Sequence, residues 1–270
     1  MKKKVVVFSQ IDNEILMRLE QQYHVVQINP KKGDINQQIL EESRDADGMI
    51  GAGRRLNESN LKHAEKLKVI SSVSVGYDNY DVSYLNQKHI WLTHTPHVLT
   101  ETTADLAFTL LMSAARKVPS LDAWMKQGQW SRTAGPEQFG VDIYGKTLGI
   151  IGLGSIGAAI ARRGFYGFNM NVLYHNRHEK IEIAEQFKAE FCSLDNLLSR
   201  SDFVVIAVDL NAASKSLMGA SELQLMQQHA VLVNISRGSV VDEKALIDAL
   251  KSRSIFAAGL DVYEKEPLQA

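Results

Sequence analysis

Short apolar runs alternate with amphipathic stretches along almost the whole chain. Toward the N-terminus the runs Val5–Ser9, Val25–Ile28, Gly48–Gly51, Val69–Val73 and Ile90–Thr93 predict strands. Helical spacing lies between them, opened by start signals. Asp12 precedes Ile15, Leu16 and Leu19; Asp34 with Gln37 resembles a capping box; Asn57 precedes Leu61. Strand–helix alternation predicts a parallel sheet covered on both faces. A long helix is expected over about Thr100 to Lys126. Its apolar residues, among them Leu106, Phe108, Leu110, Leu111, Met112, Val118, Leu121, Trp124 and Met125, exceed what one buried face needs. That surplus suits a bridge between domains or a second subunit, and a homodimer is expected. After an irregular stretch from Gly128 to Gly145, a second array predicts strands Leu148–Ile151, Asn171–His175, Phe203–Val208, Ala230–Ile235 and Ile255–Leu260.

The second array opens with chemistry. Its first strand runs into Gly152-x-Gly154-x-x-Gly157 and then a helical pattern from Ala158 to Arg163. Strand, tight turn and helix are the context in which these glycines bind a dinucleotide. Gly152 permits the turn, Gly154 lets the backbone approach a pyrophosphate, and Gly157 lets helix and strand pack closely. The phosphates then sit on the positive end of the helix. An NAD site usually adds Asp or Glu about 20 residues further on, against the ribose 2′-OH. Here the second strand ends in His175-Asn176-Arg177-His178, and no acidic residue occurs between Gly157 and Glu179. The planar fork of Arg177 suits a 2′-phosphate. NADP(H) is therefore the preferred cofactor and NAD(H) a possible one; the alternative for Arg177 is a solvated loop charge.

Composition narrows the function classes. A net charge of −1 over 270 residues provides no basic field for nucleic acid. The triplet Lys2-Lys3-Lys4 precedes too short an apolar run for a signal-peptide core, and no run approaches a membrane span. A single cysteine, Cys192, rules out an internal disulfide framework and suits a reducing cytoplasm, the expected location. No metal site is expected.

Two further strand ends in the second array are polar. One carries Ser236-Arg237-Gly238, the other Asp261-Val262-Tyr263-Glu264-Lys265-Glu266-Pro267. Arg237 could hold a carboxylate and polarise a carbonyl through two parallel N–H bonds. Glu266 could orient an acid–base imidazole and raise its pKa. Asp261 could accept from a nicotinamide amide. A surface ion pair for Arg237 and a solvated acidic turn for Glu264 and Glu266 are the structural alternatives. In the first array Ser74-Val75-Gly76-Tyr77-Asp78 follows a strand, where glycine lets successive N–H groups face one anion. An ordinary strand-to-helix turn would read the same way.

Taken in order, Val75-Gly76-Tyr77-Asp78-Asn79, Thr95-Pro96, the Gly152–Gly157 loop, Arg237-Gly238 and Gly259-Leu260-Asp261-Val262-Tyr263-Glu264-x-Glu266-Pro267 resemble the D-isomer-specific 2-hydroxyacid dehydrogenases. Ser74–Asn79, Thr95-Pro96-x-Val98-Leu99-Thr100-Glu101 and Gly167-Phe168-Asn169-Met170 are most similar to the bacterial glyoxylate/hydroxypyruvate reductase branch, also described as 2-ketogluconate reductases. The resemblance implies an α/β fold of two doubly wound parallel-sheet domains. A flavodoxin-like substrate domain would span residues 1–99 and a Rossmann NAD(P)-binding domain residues 100–270. It implies reduction of small 2-keto acids (glyoxylate, hydroxypyruvate, 2-ketogluconate) to D-2-hydroxy acids, with NADPH favoured. Val75, Gly76 and Tyr77 would hold the substrate carboxylate by main-chain amides. Arg237 would bind carboxylate and carbonyl oxygen, and Glu266 would partner a catalytic histidine. Thr102 and Asp261 would approach the nicotinamide, Ser155 and Ile156 the pyrophosphate, and Asn176 with Arg177 the adenosine end.

The chain departs from the family pattern in two places. Asp209-Leu210-Asn211 stands where the family has Pro-Leu-Thr. The family's catalytic histidine belongs to a Pro-His-x-Gly loop downstream of the Glu266-Pro267 motif, whereas the last histidine here is His229. The resemblance therefore implies a C-terminally truncated chain, lacking that histidine and a segment that completes the first domain. The two domains are expected to face a cleft, and His94 and His97 lie nearest it as substitute acids. An NADP-binding sensor or interaction module without turnover is the alternative function.

Overall fold

The computed structural model describes residues 2–268. The chain divides into two compact units, Met1–Leu99 and Thr100–Ala270, whose residues 1, 269 and 270 lie outside the described part.

The first unit contains strands β1 (Lys4–Val7), β2 (His24–Gln27), β3 (Gly48–Gly51), β4 (Val69–Ser72) and β5 (Trp91–Thr93). Their order is β2-β1-β3-β4-β5 and every pairing is parallel. This is the flavodoxin-like order of a doubly wound sheet. Val6, Phe8, Ile39, Met49, Ile70 and Leu85 form the centre of its core. The helix start signals work locally: Asp12 accepts the Glu14 N–H and Asp34 the Gln37 N–H. The box expected at Asp34 is only half made, because the Gln37 amide donates forward to Glu41 at 2.6 Å. The reciprocal box forms instead between Asn57 and Asn60.

The second unit contains β6 (Thr147–Ile151), β7 (Asn171–His175), β8 (Glu190–Phe191), β9 (Phe203–Ile206), β10 (Val231–Asn234) and β11 (Ala257–Leu260). The order β11-β10-β9-β6-β7-β8, again all parallel, is the dinucleotide-binding arrangement. Side chains alternate between two cores. Leu148, Ile150, Val172, Tyr174, Phe203, Val205, Val231 and Val233 face one side. Ile151, Leu173, Val204, Ile206 and Leu232 face the other. Burial on both sides explains why these strands read as unbroken apolar runs. β8 was not expected from the sequence; it is a two-residue edge strand, exposed along its length, and leaves no apolar run.

The long helix is two helices, Thr100–Ala115 and Val118–Lys126. Lys117 takes a left-handed conformation between them (φ 55°), and Pro119 fits only the first turn of a new helix. Ala104, Ala107, Phe108, Leu111 and Ala115 make one buried face against the sheet, while Met112, Val118 and Met125 are exposed.

Candidate functional site

β6 is where the sheet order of the second unit reverses, since its neighbours are β7 and β9. Ligands of such sheets bind beyond the strand ends at that switch point. The glycine loop leaves β6 there. Gly152 has φ 103°, and a Cβ on it would meet the Ala207 carbonyl and, at 2.9 Å, Val208. A Cβ on Gly157 would fall on the Gly152 carbonyl oxygen, so helix and loop touch through backbone alone. Gly154 is different: nothing lies within 4 Å of its hypothetical Cβ. It caps the helix Ser155–Arg162, whose first turn carries no side-chain cap. The Ser155 and Ile156 N–H groups have no acceptor among the described residues, and the space beside Gly154 is open, which fits a pyrophosphate.

A cleft of about 330 Å³ continues from this loop. Arg177, His178, Lys180, Asp209 and Asn211 line it together with Gly152 and Gly154. The end of β7 is fastened to the loop by two bonds. The Gly152 N–H donates to the His175 carbonyl at 3.0 Å, and the Leu153 N–H to Asn176 Oδ1 at 2.7 Å. Asn176 therefore shapes the loop, while Arg177 beside it is exposed. Asp209, the departure from the family pattern, takes part through its main chain: its carbonyl accepts from Ser214 Oγ at 2.7 Å. The glycines and the bare helix end fit the pyrophosphate of a nicotinamide dinucleotide.

The other polar strand ends adjoin each other in the same unit. A Cβ on Gly238 would run into the backbone of Tyr263 and Glu264, so the loops after β10 and β11 pack main chain to main chain. Asn234, 1% exposed, wires them. Its Nδ2 donates to the Arg237 carbonyl at 3.0 Å, and its Oδ1 accepts from Ser236 N at 3.0 Å and Oγ at 2.8 Å. Its own carbonyl accepts the Asp261 N–H at 3.0 Å. Sequence reading missed Asn234, although an amide ending an otherwise apolar strand is a visible signal. Arg237 Nη1 donates to the Ser236 carbonyl at 2.8 Å. Glu266 Oε1 accepts the Tyr263 N–H at 2.9 Å, and no described histidine is bonded to it. Thr102 sits exposed in the first turn of Thr100–Ala115. Next to it Glu101 bridges to Arg162 at 2.6 Å and Arg163 at 2.9 Å, tying this helix to the glycine-loop helix. Those guanidinium hydrogen bonds, Arg163's foremost, hold the Glu101 carboxyl below its ordinary range.

In the first unit, β4 ends in the loop Ser74–Asp78. Its carbonyls at Ser74, Val75 and Gly76 are each engaged. Ser74 O accepts the Thr95 N–H at 3.0 Å, Val75 O a ring nitrogen of His94 at 2.9 Å, and Gly76 O the Ser74 hydroxyl at 2.7 Å. The N–H groups of Val75, Gly76 and Tyr77 donate to nothing among the described residues, as an anion-holding loop requires. His97 lies in an exposed turn at φ 68°.

The fold and the glycine loop define a dinucleotide-binding α/β protein. Residues 108–270 match the family model of the D-isomer specific 2-hydroxyacid dehydrogenase NAD binding domain. Glyoxylate/hydroxypyruvate reductase B of Citrobacter koseri is 42% identical over 268 residues, 99% of this chain and 83% of that protein. The reductase of the same name from Escherichia coli is 42% identical over 271 residues, with the same coverage. Among solved structures, an NADPH-dependent glyoxylate/hydroxypyruvate reductase from Sinorhizobium meliloti, in complex with NADP and malonate, superposes with a TM-score of 0.85. It is 32% identical, covering 100% of this chain and 82% of that one. The chain belongs to the D-isomer specific 2-hydroxyacid dehydrogenases, a family of oxidoreductases. No helix among the described residues is long and apolar enough to cross a membrane.

Proposed function

We propose that the chain is an NADPH-preferring reductase of small 2-keto acids, with glyoxylate, hydroxypyruvate and 2-ketogluconate as candidate substrates and D-2-hydroxy acids as products. The observation that carries this reading is the pairing of Arg237 and Asp261 at adjoining strand ends, both fastened to Asn234. Bound NADPH supplies a hydride. The chain's own groups bind and orient the reactants, and solvent water supplies the proton that completes the hydroxy acid. The Val75–Tyr77 amides grip the substrate carboxylate. Arg237 bonds carboxylate and carbonyl oxygen and stabilises the charge that develops on that oxygen. Arg177 neutralises the 2′-phosphate, and Asp261 with Thr102 faces the nicotinamide end. The names of the relatives support the substrate class. Exposed Met112, Val118 and Met125 favour a homodimer.

A second reading has an observation of its own. Glu266 directs a carboxylate oxygen to the Tyr263 N–H of its own loop, and NADPH binding without turnover is the reading this local engagement favours. Following NADPH absorbance with glyoxylate and with hydroxypyruvate separates the two. Turnover that falls at least tenfold in Arg237→Lys supports the reductase, because an ammonium cannot form the planar two-bond pair. Tight NADPH binding with no turnover on either acid leaves the binding module.

A further inference from the structure

Among the described residues, His94 is the one histidine bonded to a residue of the loop read as a carboxylate grip. It follows β5 and sits on the Ser74–Asp78 loop after β4. The 2.9 Å contact runs from its Nδ1 to the Val75 carbonyl oxygen. A carbonyl has no proton to give, so Nδ1–H is the donor and the tautomer is set. The ring also meets Tyr77 edge to face, with centroids 5.4 Å apart and planes at 68°. His94 therefore touches the loop on both sides of Gly76. The neighbouring carbonyls are held by groups that are structural anywhere: the Thr95 N–H on Ser74 O, and the Ser74 hydroxyl on Gly76 O at 2.7 Å, itself bonded to Ser72 Oγ at 2.9 Å. Only the central carbonyl relies on a long side chain from another strand end.

That carbonyl decides what the loop can do. The peptide plane joining Val75 to Gly76 carries the Val75 oxygen on one edge and the Gly76 N–H on the opposite edge. Pinning the oxygen toward His94 aims the Gly76 N–H away from it. Released, the plane can turn and put an oxygen, with its partial negative charge, where a carboxylate should bind. We infer that His94 is the positioning residue for substrate: by holding the Val75 carbonyl it keeps the Val75–Tyr77 amides converged on the carboxylate. His94 does not touch the reacting carbonyl in this role, so it is not the substitute proton donor weighed for it. The inference rests on reading this loop as the carboxylate site.

The test uses the full chain saturated with NADPH and titrated with malonate, a non-reducible dicarboxylate, by amide NMR. In the unaltered chain malonate should shift the Val75, Gly76 and Tyr77 amide resonances. His94→Phe keeps a ring against Tyr77 but loses the donor, and should weaken malonate binding at least fivefold. His94→Asn places an amide N–H near the Nδ1 position and should bind within about twofold of the unaltered chain. NADPH affinity should be the same in all three. No shift at those amides in the unaltered chain overturns both the loop reading and the inference. Normal shifts with unchanged affinity in His94→Phe, or equal losses in His94→Phe and His94→Asn, overturn the inference alone.

Discussion

The side-chain amide of Asn234 donates to the Arg237 carbonyl at 3.0 Å while the Asn234 main chain accepts the Asp261 N–H at the same distance. One buried residue thus sets the turn carrying the guanidinium and fixes the neighbouring strand end. Leaving such a group unmatched costs about 1–3 kcal/mol. Asn234→Ala should lose that much in urea unfolding and depress turnover. Asn234→Asp keeps the acceptor for Ser236 but not the donor for Arg237 O, so it should impair turnover more than an Arg237-independent probe such as NADPH binding. Unchanged stability in Asn234→Ala would count against the wiring.

Two glycines of one loop should fail differently. Gly157→Ala puts a methyl on the Gly152 carbonyl and should destabilise by about 1–3 kcal/mol. Gly154→Ala meets nothing within 4 Å. It should stay within about 1 kcal/mol of the unaltered chain, the loss being a poorer helix cap. Its NADPH affinity should nevertheless drop at least tenfold, because the methyl occupies the phosphate's approach. Calorimetric titration beside thermal melts distinguishes the two.

Cofactor preference should depend on Arg177. We expect NADPH to bind at least tenfold more tightly than NADH, about 1.4 kcal/mol. Arg177→Ala should remove most of that gap while leaving NADH affinity unchanged. Rising salt should erode NADPH binding more than NADH binding. Equal affinities for both cofactors in the unaltered chain would refute the role.

The Glu101 bridge gives a pH signature. Its folded pKa lies below the ordinary value, first through the Arg163 hydrogen bond and also through Arg162. A lowered carboxyl contributes stability above the unfolded pKa and loses it as pH falls through the folded one. Glu101→Gln should therefore lower the melting temperature at neutral pH, and the difference should close as the buffer becomes more acidic than the usual carboxylate range. High salt should shrink it at neutral pH, since Glu101 and Arg162 are largely exposed.

Cys192 offers a simple control on the second unit. Burial pushes its thiol above the ordinary value. Iodoacetamide should react slowly in the folded protein at neutral pH and quickly once urea unfolds it. Fast labelling of the folded chain would mean that the segment after β8 opens readily.

Much of this architecture is decided within short stretches of sequence. Leu148–Ile151 followed by Gly152-x-Gly154-x-x-Gly157 specifies strand, turn and helix through burial and backbone geometry that neighbouring residues supply. The parallel sheets follow from alternation of apolar runs with helical patterns, because each run must be covered on both faces. The absence of a carboxylate before Glu179 is likewise a property of the string itself. Other features depend on residues far apart in the chain. β8 exists only because the edge of β7 is available to Glu190 and Phe191. The break at Lys117 reflects a left-handed residue that apolar spacing cannot reveal. Asn176 reads as a cofactor contact in the sequence, yet its oxygen turns to Leu153. Asn234 joins Arg237 to Asp261, and His94 joins β5 to the Val75 carbonyl, through hydrogen bonds that exist only after separate strands align. Periodicity records which side chains leave water; it carries no record of which polar atom, many residues away, ends up within 3 Å of another.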